Sequence, residues 1–216
     1  MKLAFCSEDQ TDTQVLHTLA QRCVMRPIEL VQNDLVLPRQ GGWQNALKIA
    51  PTLARAIFNS DAHGAVFVVD ADGSPTHESH GNTPNRECRQ CELLRVTDVV
   101  EVQRWPRPAL PPLQFIFAVP VQILETWLLL ASGRFPHQRQ PGSFGASATE
   151  RRQLKHRLYG SDRPDRSLML RTALPIAQSV DVSVLRSLSA SFGHFSTAIN
   201  DAASVVAGWI APPDQA

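Results

Sequence analysis

Apolar residues fall along this chain in short unbroken runs separated by longer amphipathic stretches. The clearest run is residues 64–69, ended abruptly by Asp70-Ala71-Asp72-Gly73. A continuous apolar run with β-branched residues predicts a strand covered on both faces. Residues 2–6 and 114–119 have the same character, and a short strand is expected over 28–31. The stretches between them follow a helical period. Val15, Leu16, Leu19 and Cys23 mark one helix, with Thr11 or Asp12 as its cap. Ala46, Leu47, Ile49, Leu53, Ala54 and Ile57 mark a second over 43–58, which Pro51 should kink or divide. A third is expected over 85–94, and a strongly apolar fourth over 121–131 carries a single acid, Glu125. This alternation predicts an α/β fold over residues 1–131, a mainly parallel sheet sandwiched by helices.

The pattern changes after that. Residues 132–148 are rich in Gly, Pro, Ser and Gln and read as a mobile loop. Residues 149–216 read as a helical extension packed on the core, with helices over 149–159, 165–178, 182–189 and 192–206. A chain of 216 residues with 43% hydrophobic residues can bury a large core without crosslinks. The formal net charge of +1 excludes a global polyelectrolyte, so any nucleic-acid surface must come from local clustering. Four cysteines are too few for a disulfide scaffold, and Cys6 and Cys23 fit buried apolar positions. The apolar start is shorter than a signal peptide and the run around Leu124 is shorter than a bilayer span. A cytoplasmic protein with no membrane contact is therefore expected. No Walker-type glycine loop and no nucleophile elbow occurs, and the pattern sets no oligomeric state.

Three constellations can carry chemistry. In parallel sheets ligands bind outside the carboxyl ends of the strands. Glu8 follows the first expected strand, and Asp70 and Asp72 follow the run at 64–69. If the two strands are neighbours, these carboxylates converge as hard oxygen ligands suited to Mg²⁺ or Mn²⁺. Asp-x-Asp-Gly also makes an ordinary turn. The second constellation is His77-x-x-His80 with Cys88-x-x-Cys91, a donor set for tetrahedral Zn²⁺. The competing reading makes Cys88, Cys91 and Leu94 the apolar face of a helix, with the histidines in solvent. The third is basic. Arg134, Arg139, Arg151, Arg152, Lys155, Arg157, Arg163, Arg166 and Arg171 share a segment with few acids. Such a cluster suits a phosphate backbone, DNA or RNA, and equally a salt-bridged helical face.

Glu8 in Ser7-Glu8-Asp9-Gln10-Thr11-Asp12, followed by Asp70-Ala71-Asp72 after a buried strand, resembles the TOPRIM fold of topoisomerases, primases and OLD-type nucleases. Ala118-Val119-Pro120 and then Leu124-Glu125-Thr126-Trp127-Leu128-Leu129 resemble the Glu-x-Trp-Leu-Leu motif of a TOPRIM-like bacterial family of unknown function. Lys155 with Leu158-Tyr159-Gly160, and Ser189-Ala190-Ser191-Phe192, match that family's later motifs in order. The resemblance implies that Glu8 transfers protons and that Asp70 and Asp72 bind Mg²⁺. It adds Glu125 as a fourth member of the site, and Lys155 and Ser191 as phosphate contacts. It also implies an ATPase partner and a nuclease acting in anti-phage defence, or else a regulatory or adaptor subunit that keeps the fold without catalysis. The chain departs from the pattern in three places. Asp9 stands where glycine usual follows the glutamate, Ala131 and Ser132 where an acid closes the Trp-Leu-Leu motif, and Ala190 where the Ser-x-Ser-Phe pattern has proline.

Overall fold

A computed structural model describes residues 1–7, 9–31, 42–71, 74–81, 83–98, 107, 109–121, 123–134 and 148–209. Four strands, β1 (Lys2–Cys6), β2 (Glu29–Leu30), β3 (Gly64–Val68) and β4 (Gln114–Ala118), form one sheet in the order β2-β1-β3-β4. Every pairing is parallel. All five residues of β3 are buried, as its continuous apolar run predicts for a central strand.

Eight helices complete the described chain. They are α1 (Gln10–Val24), α2 (Gly42–Phe58), α3 (Arg89–Asp98), α4 (Leu124–Ala131), α5 (Ala148–Tyr159), α6 (Arg166–Ser179), α7 (Val182–Leu188) and α8 (Ala190–Gly208). Side chains alternate across a strand, so the sheet separates two cores. Leu3, Phe5, Val66, Val68, Ile116 and Ala118 face one side, with α1 and the helices from α4 onward. Ala4, Cys6, Ala65, Phe67, Val69 and Phe117 face the other, with α2 and α3. The C-terminal helices thus complete a layer of the sandwich. Both α6 and α8 pack on α1, and α8 also reaches β4. Among the described residues no single helix is long and apolar enough to cross a membrane.

Several elements differ from the sequence expectation. Asp9, rather than Thr11 or Asp12, caps α1, accepting a hydrogen bond from the Thr11 amide at 2.7 Å. Pro51 sits inside α2 without dividing it. Proline removes only one helical hydrogen bond, and Ala46, Ala50, Leu53, Ala54 and Ile57 press this helix into the core on both sides of it. The largest shift is in α3, which starts at Arg89 rather than residue 85. Asn85 takes the Glu87 amide on its side chain at 2.8 Å and the Cys88 amide on its carbonyl at 3.1 Å, making a turn in place of the first helical turn. The loop expected over 132–148 lies largely outside the described residues.

Gly64 shows how closely the central strands approach. It pairs with Leu3 on one side and Gln114 on the other. A Cβ at this position would lie 2.9 Å from Leu3 Cδ2 and 3.0 Å from the Gln114 carbonyl oxygen. Gly64→Ala is expected to cost about 1–3 kcal/mol through overpacking, read as a lowered urea midpoint at unchanged m-value.

Candidate functional site

The strand order fixes where a ligand would lie. From β1 the chain crosses to β2 on one side, while β3 lies on the other, so the order reverses between β1 and β3. In open parallel sheets the carboxyl ends at such a reversal flank the binding crevice. Ser7 and Asp9 follow β1 there, and Asp70 follows β3. Glu8 and Asp72 lie outside the described residues. Their neighbours on the chain, Ser7, Asp9 and Ala71, are at this edge, with Asp70 half-buried beside them.

Asp70 is held by its main chain. Pairing with the β4 segment continues past β3. The Val69 amide donates to Ala118 at 3.1 Å and the Ala71 amide to Pro120 at 2.9 Å. The alternation therefore extends to Asp70, on the side of Val66 and Val68 and so of α1 and α4. From the opposite layer, the Arg89 guanidinium donates to the Asp70 carbonyl. Arg89 also lies over the Trp43 ring, 5.4 Å from its centroid. The peptide joining Asp70 and Ala71 is thus bonded at both its oxygen and its N–H. Nothing in the pattern of apolar residues singled out Arg89. Its one signal was its place directly after Cys88.

The three later segments that carry the family resemblance converge on α4. Glu125, in its first turn, is 6% exposed and lies 3.9 Å from the Lys155 ammonium of α5. Tyr159, one turn further along α5, also acts on the same carboxyl. Burial, the strongest influence, pushes the Glu125 carboxyl above the usual range, while Lys155 and Tyr159 pull it down. Two residues on, the Trp127 indole N–H donates to Ser191 Oγ at 3.0 Å. Ser191 is itself 6% exposed, which places it in the core rather than on a phosphate-binding surface. Of the basic residues, Lys155 is engaged with Glu125, whereas Arg152 and Arg157 are exposed on α5 and Arg151 is half-buried. Arg139 lies outside the described residues.

Glu125 has a pH signature. Its folded-state pKa is raised above the unfolded value, near 4.5. Between those two values the folded state holds the extra proton, so stability falls as pH rises from about 4.5 through the raised value. Glu125→Gln removes this dependence and retains an oxygen for Tyr159. Melting curves from pH 4 upward are expected to show the variant gaining on the wild type as pH rises above about 4.5, then the difference between them holding constant. A difference in melting temperature that stays flat with pH would contradict the assignment.

The donor set His77, His80, Cys88 and Cys91 forms one cluster. One ligand atom from each lies within 4.8 Å of all the others, an arrangement able to hold a metal such as zinc. The competing helical reading fails. Cys88 precedes α3 and is 1% exposed, while Leu94, its expected partner on an apolar face, is 42% exposed. Both histidines belong to the turn around His77–Ser79, between β3 and α3. Burial pushes the Cys88 thiol up to about 11. An open cavity lined by Asn85, Arg86, Leu94 and Arg95 reaches His77 and Cys91.

The chain matches no family model, and neither a curated protein nor a solved structure is significantly similar to it. The functional reading therefore rests on the site itself and on the motifs described above.

Proposed function

We propose that this protein is a divalent-metal-dependent nuclease of TOPRIM-like type, cleaving phosphodiester bonds in DNA or RNA, and that it acts with an ATPase as an effector of anti-phage defence. One observation carries the reading: β1 and β3 are neighbours, so the segments bearing Glu8, Asp70 and Asp72 leave the sheet side by side where its strand order reverses. Asp70 and Asp72 supply the hard oxygens that Mg²⁺ or Mn²⁺ prefers. Such an ion, when bound, stabilises charge on a transferring phosphoryl group and makes its bound water a better nucleophile. Glu8 takes the proton-transfer role. The exposed Arg152 and Arg157 on α5 provide charge for a phosphate backbone. The ATPase and the defence role follow from the family resemblance alone.

A second reading, an adaptor subunit without catalysis, draws support from Glu125. The acid that the resemblance adds to the site is buried and already held by Tyr159 and Lys155. One assay separates the two. Purified protein is incubated with single- and double-stranded DNA and RNA, with Mg²⁺, Mn²⁺ or neither, alone and with candidate ATPase partners. Metal-dependent cleavage supports the nuclease. No cleavage of any substrate, together with a stable ATPase complex, selects the adaptor.

A further inference from the structure

The His77–His80–Cys88–Cys91 cluster has the dimensions of an occupied metal site. Zinc bonds of about 2.0–2.1 Å to nitrogen and 2.3 Å to sulfur place tetrahedral N and S ligands roughly 3.6 Å apart. Here Cys91 Sγ lies 3.5 Å from His77 Nδ1, Cys88 Sγ 3.9 Å from the same nitrogen, and Cys91 Sγ 3.9 Å from His80 Nε2. These are three edges of such a tetrahedron. Two sulfurs and two imidazoles select zinc over the hard cations expected at the sheet edge.

The surroundings fit as well. His80 Nδ1 lies 2.7 Å from the Thr83 carbonyl, so that nitrogen carries the proton and Nε2 is left with its lone pair toward the cluster. His77 and His80 are three residues apart on a single turn of 3-10 helix, where such positions align. Cys91 sits in the first turn of the ten-residue α3, directly after the loop that carries the two histidines. His194 of α8 meets the His77 ring edge-on, with centroids 5.9 Å apart. With four protein ligands the site is closed, which marks a structural rather than a catalytic ion.

We propose that His77, His80, Cys88 and Cys91 bind one Zn²⁺ ion, and that this ion clamps the β3–α3 connection so that Arg89 is held on the Asp70 main chain. Cys88 and Arg89 are adjacent, so fixing the thiolate fixes the start of α3 from which Arg89 reaches Asp70. The ion is chemically distinct from the Mg²⁺ or Mn²⁺ of the proposed nuclease site, and its binding does not depend on that reading.

The test uses the full chain and reads no cleavage. Native mass spectrometry of protein purified without chelator should show one zinc per chain, and X-ray absorption should show two sulfur and two nitrogen neighbours. Replacement by Co²⁺ should give the intense visible bands of tetrahedral thiolate coordination. His80→Ala and Cys91→Ser should each weaken zinc binding at least about tenfold, the scale seen even for outer partners of metal ligands. Hydrogen exchange then tests the clamp. Chelation should speed exchange at least about tenfold at the Ala71 and Ser74 amides, which bond Pro120 and Ala71. The Val31 amide, bonded to Leu3 at the far side of the sheet, serves as the control and should not change. Wild-type protein that carries no zinc and gives no tetrahedral Co²⁺ spectrum overturns the site. Zinc whose removal leaves the Ala71 and Ser74 amides unmoved, or accelerates Val31 equally, overturns the clamp.

Discussion

Trp127→Ala should lower the stability of this protein by about 3–5 kcal/mol, the range for truncating a fully buried large aromatic. Trp127 is 0% exposed and is the largest fully buried side chain among the described residues. Its ring meets Phe192 edge-on at 5.3 Å and Phe195 at 5.6 Å. Its N–H is bonded to Ser191. Truncation opens a cavity where α4 and α8 meet behind the sheet, and neither ring on α8 can follow the indole without leaving its own packing. Two milder variants divide the effect. Trp127→Phe keeps most of the ring and loses the hydrogen bond, while Ser191 retains Ser189 as a neighbour at 3.3 Å. Ser191→Ala keeps the indole and strands its N–H, at a cost of about 1–3 kcal/mol. Urea unfolding should rank the three with Trp127→Ala lowest. A Ser191→Ala variant indistinguishable from wild type would mean that the buried N–H has another partner.

The second large effect concerns turnover. Replacing Asp70 and Asp72 together by alanine should reduce metal-dependent cleavage at least about 100-fold. Losing an outer partner of a metal ligand already costs about 10–100-fold, and this change would remove both proposed ligands. The loss should persist when Mg²⁺ or Mn²⁺ is raised, because without both aspartates the proposed site has too few hard oxygen ligands to hold the ion. Stability should change little by comparison, since Asp70 is only half-buried and the main-chain bonds there, Arg89 to the Asp70 carbonyl and the Ala71 amide to Pro120, need no carboxyl. Unfolding midpoints measured alongside the rates keep the two effects apart. Cleavage that survives the double substitution would sink the placement of the metal.

The sheet was legible because continuous apolar runs have a single reading in a parallel core, and β1, β3 and β4 lie where those runs lie. Helix boundaries were less so. Asn85 draws local amides onto itself, and no periodicity count registers that competition. This one misplacement kept a competing reading of the metal cluster open. With Cys88 inside a helix, the cysteines looked like core residues facing Leu94. With α3 starting at Arg89, Cys88 turns toward His77. The mutual contacts of the later motifs were invisible for another reason. Glu125 with Lys155 and Trp127 with Ser191 are far apart along the chain, and a linear pattern does not encode which distant residues meet. Arg89 on Asp70 joins two elements through a main-chain oxygen, which every residue possesses, so the acceptor leaves no mark in the sequence.

The last described helix has a consequence for how the molecule comes to be. α8 covers α1 and β4, elements that lie far earlier in the chain. Contacts between distant segments form late, because the intervening chain must be gathered before they repay its loss of freedom. The sheet face bearing Leu3, Phe5, Val66 and Val68 therefore stays partly uncovered until α8 has been synthesised and docked. During that interval the nascent chain presents an apolar surface to whatever surrounds it. Phe192, Phe195 and Ile199, all on α8, are the residues that close it.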